Sequence, residues 1–230
     1  MARRPLIYRN PHHESLAEGV ARNIREAILL GKLRPGEKII ENELANRMRI
    51  SRSPIREALR ILEQEGLITL FPRKGARVTE ISLREVKEIY AIRANLESLA
   101  AKLAISNLKT TQMERMENLI KRMSIETKKN DIENVIKLNE KFHELIVNAG
   151  DNQRLNQLIQ SLKNQIQRFR IASLSLPGRL KIALTEHQKI VEAFRKRDGF
   201  LAGELMREHI SKAGNRLLKI LEKGNKNGQN

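Results

Sequence analysis

Residues 51–60 read SRSPIREALR, and the stretch sets a problem in electrostatics. Ser53 has the chemistry of a helix N-cap, and Pro54 suits a first helical position, where its missing N–H costs nothing. The positive end of a helix favours acidic side chains, yet Arg52, Arg56 and Arg60 crowd the first turns here. Ile55, Ala58, Leu59 and Leu62 recur at helical spacing and form an inward face. The arginines, spaced by four, share the opposite side. That face is either solvated and paired with Glu57, Glu63 or Glu65, or it is meant for an external anion.

The surroundings favour the anion. Upstream, Leu16, Val20, Ile24, Ala27 and Ile28 mark a helix that starts near Glu14 and stops at Gly31. Leu33-Arg34-Pro35-Gly36 is a turn, and a short helix over 41–48 directs Leu44, Ala45 and Met48 inward. Downstream of Gly66, Leu67 to Phe71 has strand character, Pro72-Arg73-Lys74-Gly75 turns, and Ala76 to Thr79 can pair back. Three helices followed by a hairpin with a basic tip read as a winged helix-turn-helix. The second helix of such a motif enters the DNA major groove and its N-terminal residues reach base edges. Arginine there can donate two hydrogen bonds to guanine. At the tip, Arg73 and Lys74 flank Gly75, whose lack of a side chain would let the backbone approach phosphate or a minor groove. The expected domain is 14–80, preceded by a flexible basic arm over 1–13.

After a linker over 81–83 the pattern is helical throughout. Six helices are predicted, over 83–106, 111–128, 131–148, 152–172, 179–196 and 199–222, with Asp131 and Asp198 as N-caps. They make an all-helical domain over 84–222 with a disordered tail over 223–230. The fold class is therefore mainly α: a winged helix followed by an all-α six-helix bundle. His143, His187 and His209 fall on three different helices among apolar neighbours, and Asn139 shares a face with His143. They are either boundary histidines bonded to neighbours or ligands of a core metal, since bundles build such sites from facing helices. Imidazole suits zinc, nickel, iron or copper.

Composition narrows the function classes. The formal net charge is +17, which makes a polyanion the leading partner and an anionic membrane surface the lesser one. Cysteine is absent and tryptophan is absent, so disulfides, thiolate metal sites and thiol catalysis are excluded. No apolar run reaches the length of a membrane span and no signal peptide is visible, so a cytoplasmic protein without membrane attachment is expected.

Taken together, Gly31, Pro35-Gly36-Glu37, Glu41, Glu43-Leu44-Ala45, Ser51-Arg52-Ser53-Pro54-Ile55-Arg56-Glu57-Ala58-Leu59, Glu65-Gly66-Leu67 and Gly75-Ala76 resemble the GntR family of bacterial transcription regulators. The resemblance implies that Arg52 and Arg56 read the major groove, with Ser53 beside them, and that Gly75 lies at the wing tip. Arg60 would contact phosphate. Where relatives often carry a further basic residue, this chain has Asn42. Residues 84–220 resemble the ligand-binding (FCD) C-terminal domain of the FadR subfamily, through Tyr90, Arg93, Leu96-Glu97, Asp131, Asn139, Phe142-His143, Pro177-Gly178-Arg179, Glu186-His187, Asp198, Met206 and His209. In that domain three histidines and an aspartate ligate a divalent metal. The histidines match His143, His187 and His209, and Asn139 stands at the aspartate position. Arg93 matches an arginine that engages effector carboxylates; otherwise it pairs with Glu97.

The expected function is a homodimeric regulator that is not an enzyme. It would bind double-stranded DNA at a short pseudo-palindromic operator, with affinity set by a small organic acid, and would hold a divalent metal such as zinc or nickel. Two alternatives remain at this point. One is a metal-dependent hydrolase-like enzyme carrying a DNA-binding module, and the other is a sequence-indifferent DNA-coating protein.

Overall fold

The computed structural model describes residues 15–29, 32–72 and 74–227. The arm over 1–13, Gly31 and Arg73 lie outside the described residues. The chain divides into two compact units, the first ending at Glu80 and the second beginning at Ile81.

In the first unit the elements run α1 (Leu16–Leu29), β1 (Lys38–Ile39), α2 (Glu41–Met48), α3 (Arg52–Gln64), β2 (Ile68–Phe71) and β3 (Gly75–Val78). Val20, Ala21 and Ile24 of α1 are buried, as are Ile55, Ala58, Leu59 and Leu62 of α3, and the two helices pack together. Leu16, expected inside, is exposed, and Ala17 takes its place in the core. Arg25 of α1 clamps Glu65 through Nε and Nη2 at 2.9 and 2.7 Å. The corner between α2 and α3 closes on Arg49 in the left-handed region, at φ 55°. Behind it the Ile50 N–H reaches the Ala45 carbonyl at 3.1 Å.

Two expectations are corrected here. The N-cap of α3 is Ser51, extended at φ −70° and ψ 164°, so Ser53 already lies in the first turn and its side chain is exposed. Pro54 fits there because the first four N–H groups of a helix lack intrahelical acceptors wherever proline falls among them. The wing is also larger than a hairpin. β1 pairs antiparallel with β3, Ile39 opposite Ala76, and the sheet order is β1-β3-β2. A strand of two residues has no periodicity to read. It does explain Gly75, which has φ +86° and would place a Cβ 2.6 Å from the Ile39 carbonyl oxygen. The missing side chain serves the packing of β1 on β3.

The second unit holds α4 (Leu83–Asn107), α5 (Thr110–Lys128), α6 (Ile132–Ala149), α7 (Gln153–Ser161), α8 (Lys163–Leu174), α9 (Arg179–Arg195) and α10 (Gly199–Asn227). Asp131 caps α6 by accepting the Asn134 N–H at 3.0 Å, and Asp198 accepts the Leu201 N–H at 2.8 Å. The helix expected over 152–172 is two, broken at Leu162, so seven helical segments replace six. Each half serves a different apolar cluster. Leu155 packs with Ala100 and Val147, whereas Ile166 and Phe169 join the main core of Phe142, Ile190, Phe194, Met206 and Ile210. α10 continues to Asn227, through most of the expected tail. No described helix is long and apolar enough to cross a membrane.

The wing geometry yields a stability test. Gly75→Ala would meet both the φ +86° strain and the Ile39 carbonyl, so it should cost about 2 kcal/mol. Chemical denaturation measures this, and a loss below about 0.5 kcal/mol would contradict the packing role of Gly75.

Candidate nucleic-acid interface and candidate metal centre

The winged unit carries a groove of about 780 Å³ between α2, α3 and the wing. Its lining brings together Asn42, Arg52, Arg56, Arg60, Lys74 and Gly75, six of the residues expected to meet DNA. Ser53 is exposed but does not line it, and Arg73 lies outside the described residues. α3 has no acidic residue in its first turn, so its positive dipole end and the arginines add. Arg56 is not wholly free: its Nε–H donates to Glu41 Oε2 at 2.7 Å, with the arginine side chain 61% exposed. The expected pairing of this face with Glu57, Glu63 or Glu65 does not form. Glu63 instead accepts the Leu70 N–H at 3.0 Å, and Glu65 holds Arg25.

The bundle brings the three histidines together. His143 on α6, His187 on α9 and His209 on α10 are all buried, and one ring nitrogen from each lies within 4.8 Å of the others. His187 Nε2 is 3.2 Å from His209 Nε2 and 3.2 Å from the Asn139 amide. Two carboxylates grip the far sides of the rings. The Nδ1–H of His143 donates to Glu97 Oε2 at 2.5 Å, and that of His209 donates to Glu186 Oε2 at 2.7 Å. Each carboxylate is held in turn by an arginine: Arg93 Nε on Glu97 at 2.5 Å and Arg179 Nη1 on Glu186 at 2.7 Å. A carboxylate behind an imidazole fixes its tautomer and turns the opposite nitrogen into a lone-pair donor.

The donor set fits a cation. With Nδ1–H committed to Glu97, His143 Nε2 is a buried lone pair with no hydrogen-bond partner. His209 Nε2 presents a lone pair towards His187 Nε2, which can meet it as an N–H donor or, with its proton on the unpartnered Nδ1, as a second lone pair for a cation. Turning the Asn139 amide presents its carbonyl oxygen, the end that a cation takes. Burial lowers His143 to about 4 against the opposing pull of Glu97. Burial, joined by the neighbouring histidines and Arg179, holds His187 and His209 well below the ordinary value. All three are therefore neutral at pH 7, the ligand form. For Glu97, burial alone would raise the carboxyl, but Arg93 with His143 and Arg170 outweighs it and keeps the group ionised.

Arg93 is both a core residue and the i,i+4 partner of Glu97; the pair takes Nε and leaves its Nη groups. The sequence offers Glu97 only as the alternative partner of Arg93, and gives no role to Glu186, Arg179 or Arg170. The signal for Glu97 is its spacing from Arg93, and for Glu186 its place beside His187. Arg179 is marked only by its place after Pro177-Gly178 and Arg170 by nothing local, yet both are buried, each with an unpartnered Nε. Glu140 and Glu144, which flank His143 in sequence, lie near Lys163 at 3.9 and 3.7 Å, and Glu140 also acts on Arg170 through its charge.

Comparison with known proteins agrees with both halves of this geometry. Residues 16–78 match the family described as bacterial regulatory proteins, gntR family, and residues 88–212 match the FCD domain. The HTH-type transcriptional regulator YdhC of Bacillus subtilis is 34% identical over 206 residues, 89% of this chain and 92% of its own. The chain belongs to the gntR family of bacterial regulatory proteins. The transcriptional repressor RspR of Escherichia coli is 28% identical over 201 residues, 87% of this chain and 88% of its own. A GntR family regulator from Pseudomonas syringae superposes with a TM-score of 0.57 at 27% identity, over 93% of this chain and 89% of that one. The structure of E. coli McbR/YncC shares the fold, with a TM-score of 0.65 at 23% identity, over 91% of this chain and 100% of that one. GntR regulators bind DNA through the winged unit and are usually dimeric. These relatives are transcription regulators and not enzymes, so the hydrolase alternative is set aside.

The depressed histidines fix a pH dependence. Their folded values lie below the ordinary 6.5, and His143 lies at about 4. Between those limits the unfolded chain binds more protons than the folded one, so stability falls as pH falls. Chelator-treated protein should show a melting temperature that drops steadily from pH 7 to pH 4.5, and a flat profile would contradict buried neutral imidazoles.

Proposed function

We propose that this GntR regulator is a homodimer whose two winged units bind a short pseudo-palindromic duplex, with operator affinity set by a small carboxylate in the bundle. The observation that supports the DNA reading most strongly is the shared groove of Arg52, Arg56, Arg60 and Lys74 at the positive end of α3. Arg52 and Arg56 read base edges. Arg60 and Lys74 meet phosphate, Arg73 extends the wing contact, and Asn42 and Ser53 supply hydrogen bonds. The missing basic residue at Asn42 removes one contact that relatives make, so preference at that base pair is weaker.

In the bundle, His143, His187 and His209 would hold a divalent metal such as zinc or nickel, with Asn139 offering its carbonyl. An amide in place of a carboxylate removes one negative charge, so the ion binds more weakly. Bound there, the metal would supply a Lewis-acidic anchor for a carboxylate. Charge supports an anionic effector independently. Arg93, Arg170 and Arg179 are buried against one fully buried carboxylate, Glu97, with Glu186 at the edge. Burial lowers Arg170 to about 10. An anion relieves this surplus, since buried charge is costly unless paired. For regulation the effector must bind the free and DNA-bound protein unequally.

Selection of bound duplexes from a random pool tests the DNA reading. A two-fold symmetric site is expected, with Arg56→Ala losing about 1–3 kcal/mol on it; recovery of unrelated sequences would contradict specific recognition. For the metal, zinc titration followed by elemental analysis should give one ion per chain in the parent and none in a folded His187→Ala variant. Equal metal content in both would overturn the histidine site.

A further inference from the structure

Glu41 is the one acidic side chain among the described residues lining an otherwise basic groove. Facing a polyanion, a carboxylate there is repelled, so its presence needs a compensating role. Support of the α2 dipole does not account for it alone, because Glu43 sits in the same first turn.

Its contact supplies the role. Glu41 Oε2 accepts from Arg56 Nε at 2.7 Å, across the helix-turn-helix from α2 to α3. An arginine has two usable forks. The Nε edge is occupied by Glu41, which leaves the pair of terminal Nη groups, the end that addresses N7 and O6 of guanine in parallel. The side chain remains 61% exposed, so the free fork is accessible. A long exposed side chain loses rotamer freedom when it docks, and a partner that holds it beforehand reduces that loss.

We infer that Glu41 is a positioning residue for base reading, fixing the Arg56 guanidinium with its terminal fork turned towards the base edge. The inference rests on the DNA reading above. It divides labour within the groove. Arg56, neutralised by Glu41, contributes base preference more than general attraction. Arg52 and Arg60, with no described ion-pair partner, contribute attraction to any duplex.

The test uses the full-length protein on its selected duplex, on duplexes changed at single base pairs, and on an unrelated duplex. Glu41→Ala should lower preference roughly tenfold, at the same base pair where Arg56→Ala loses it. Affinity for the unrelated duplex should hold or rise, and the double variant should be no worse than Arg56→Ala. Glu41→Gln, which keeps size and an acceptor oxygen, should show a smaller drop at that base pair, and it carries the comparison if Glu41→Ala fails to fold. Glu41 variants that tighten binding to every duplex by one factor, with preference intact, would show that the carboxylate merely repels DNA and would overturn the inference. If Arg56→Ala loses preference and neither Glu41 variant does, only the role of Glu41 falls. If Arg56→Ala loses preference at no base pair, base reading by this helix falls with it.

Discussion

Peptide dipoles give the start of α3 a positive partial charge, and the chain adds arginines to it instead of the acids that would balance it. This imbalance is the constraint on which the winged unit is built. The apolar face of Ile55, Ala58, Leu59 and Leu62 is fully buried, so the helix is held by packing and can carry an unfavourable surface. Arg25 on Glu65 ties its far end to α1. The wing closes the other side of the groove, and β1 with Gly75 sets how the wing sits. An external polyanion completes the electrostatics that the fold leaves open.

The bundle meets the opposite difficulty, with charge enclosed instead of exposed. Two arginine–glutamate–histidine relays, Arg93–Glu97–His143 and Arg179–Glu186–His209, orient imidazoles drawn from separate helices. Their far nitrogens are committed, so the near ones can only accept. Burial keeps the rings neutral, and the arginines keep the carboxylates ionised. The result is a lone-pair cluster beside a surplus of buried positive charge, which suits a cation and an anion bound together. An amide at Asn139 in place of a carboxylate tilts the balance towards the anion.

Most of the groove was legible in the sequence, because periodicity of four separates Arg52, Arg56 and Arg60 from the buried face without any tertiary information. The position of Ser53 was misjudged by two residues, since serine at either 51 or 53 satisfies the same capping preference. β1 was invisible, being too short for periodicity, and Gly75 was consequently credited to the partner instead of to the sheet. In the bundle the histidines announced themselves by chemistry. The carboxylates behind them did not, because Glu97 and Glu186 look like ordinary helix-surface acids until the fold buries the first and sets the second at the edge of the cluster. Arg170 sits between Phe169 and Ile171 and carries no pattern at all. The break at Leu162 lacks glycine or proline, and Leu155, Ile159, Leu162, Ile166 and Phe169 keep one apolar stripe across it, so the pattern reads as a single helix.

The central claim is that the arginines at the positive end of α3 read base edges in the major groove, and the most direct measurement is methylation interference on the selected duplex. Methylation of guanine N7 removes the acceptor that an arginine fork requires. Binding by the parent should be blocked by methylation at defined guanines placed symmetrically in the two half-sites. The interference at one of them per half-site should vanish with Arg56→Ala. Interference that is absent from the parent, or identical in the parent and Arg56→Ala, would contradict base reading by this helix.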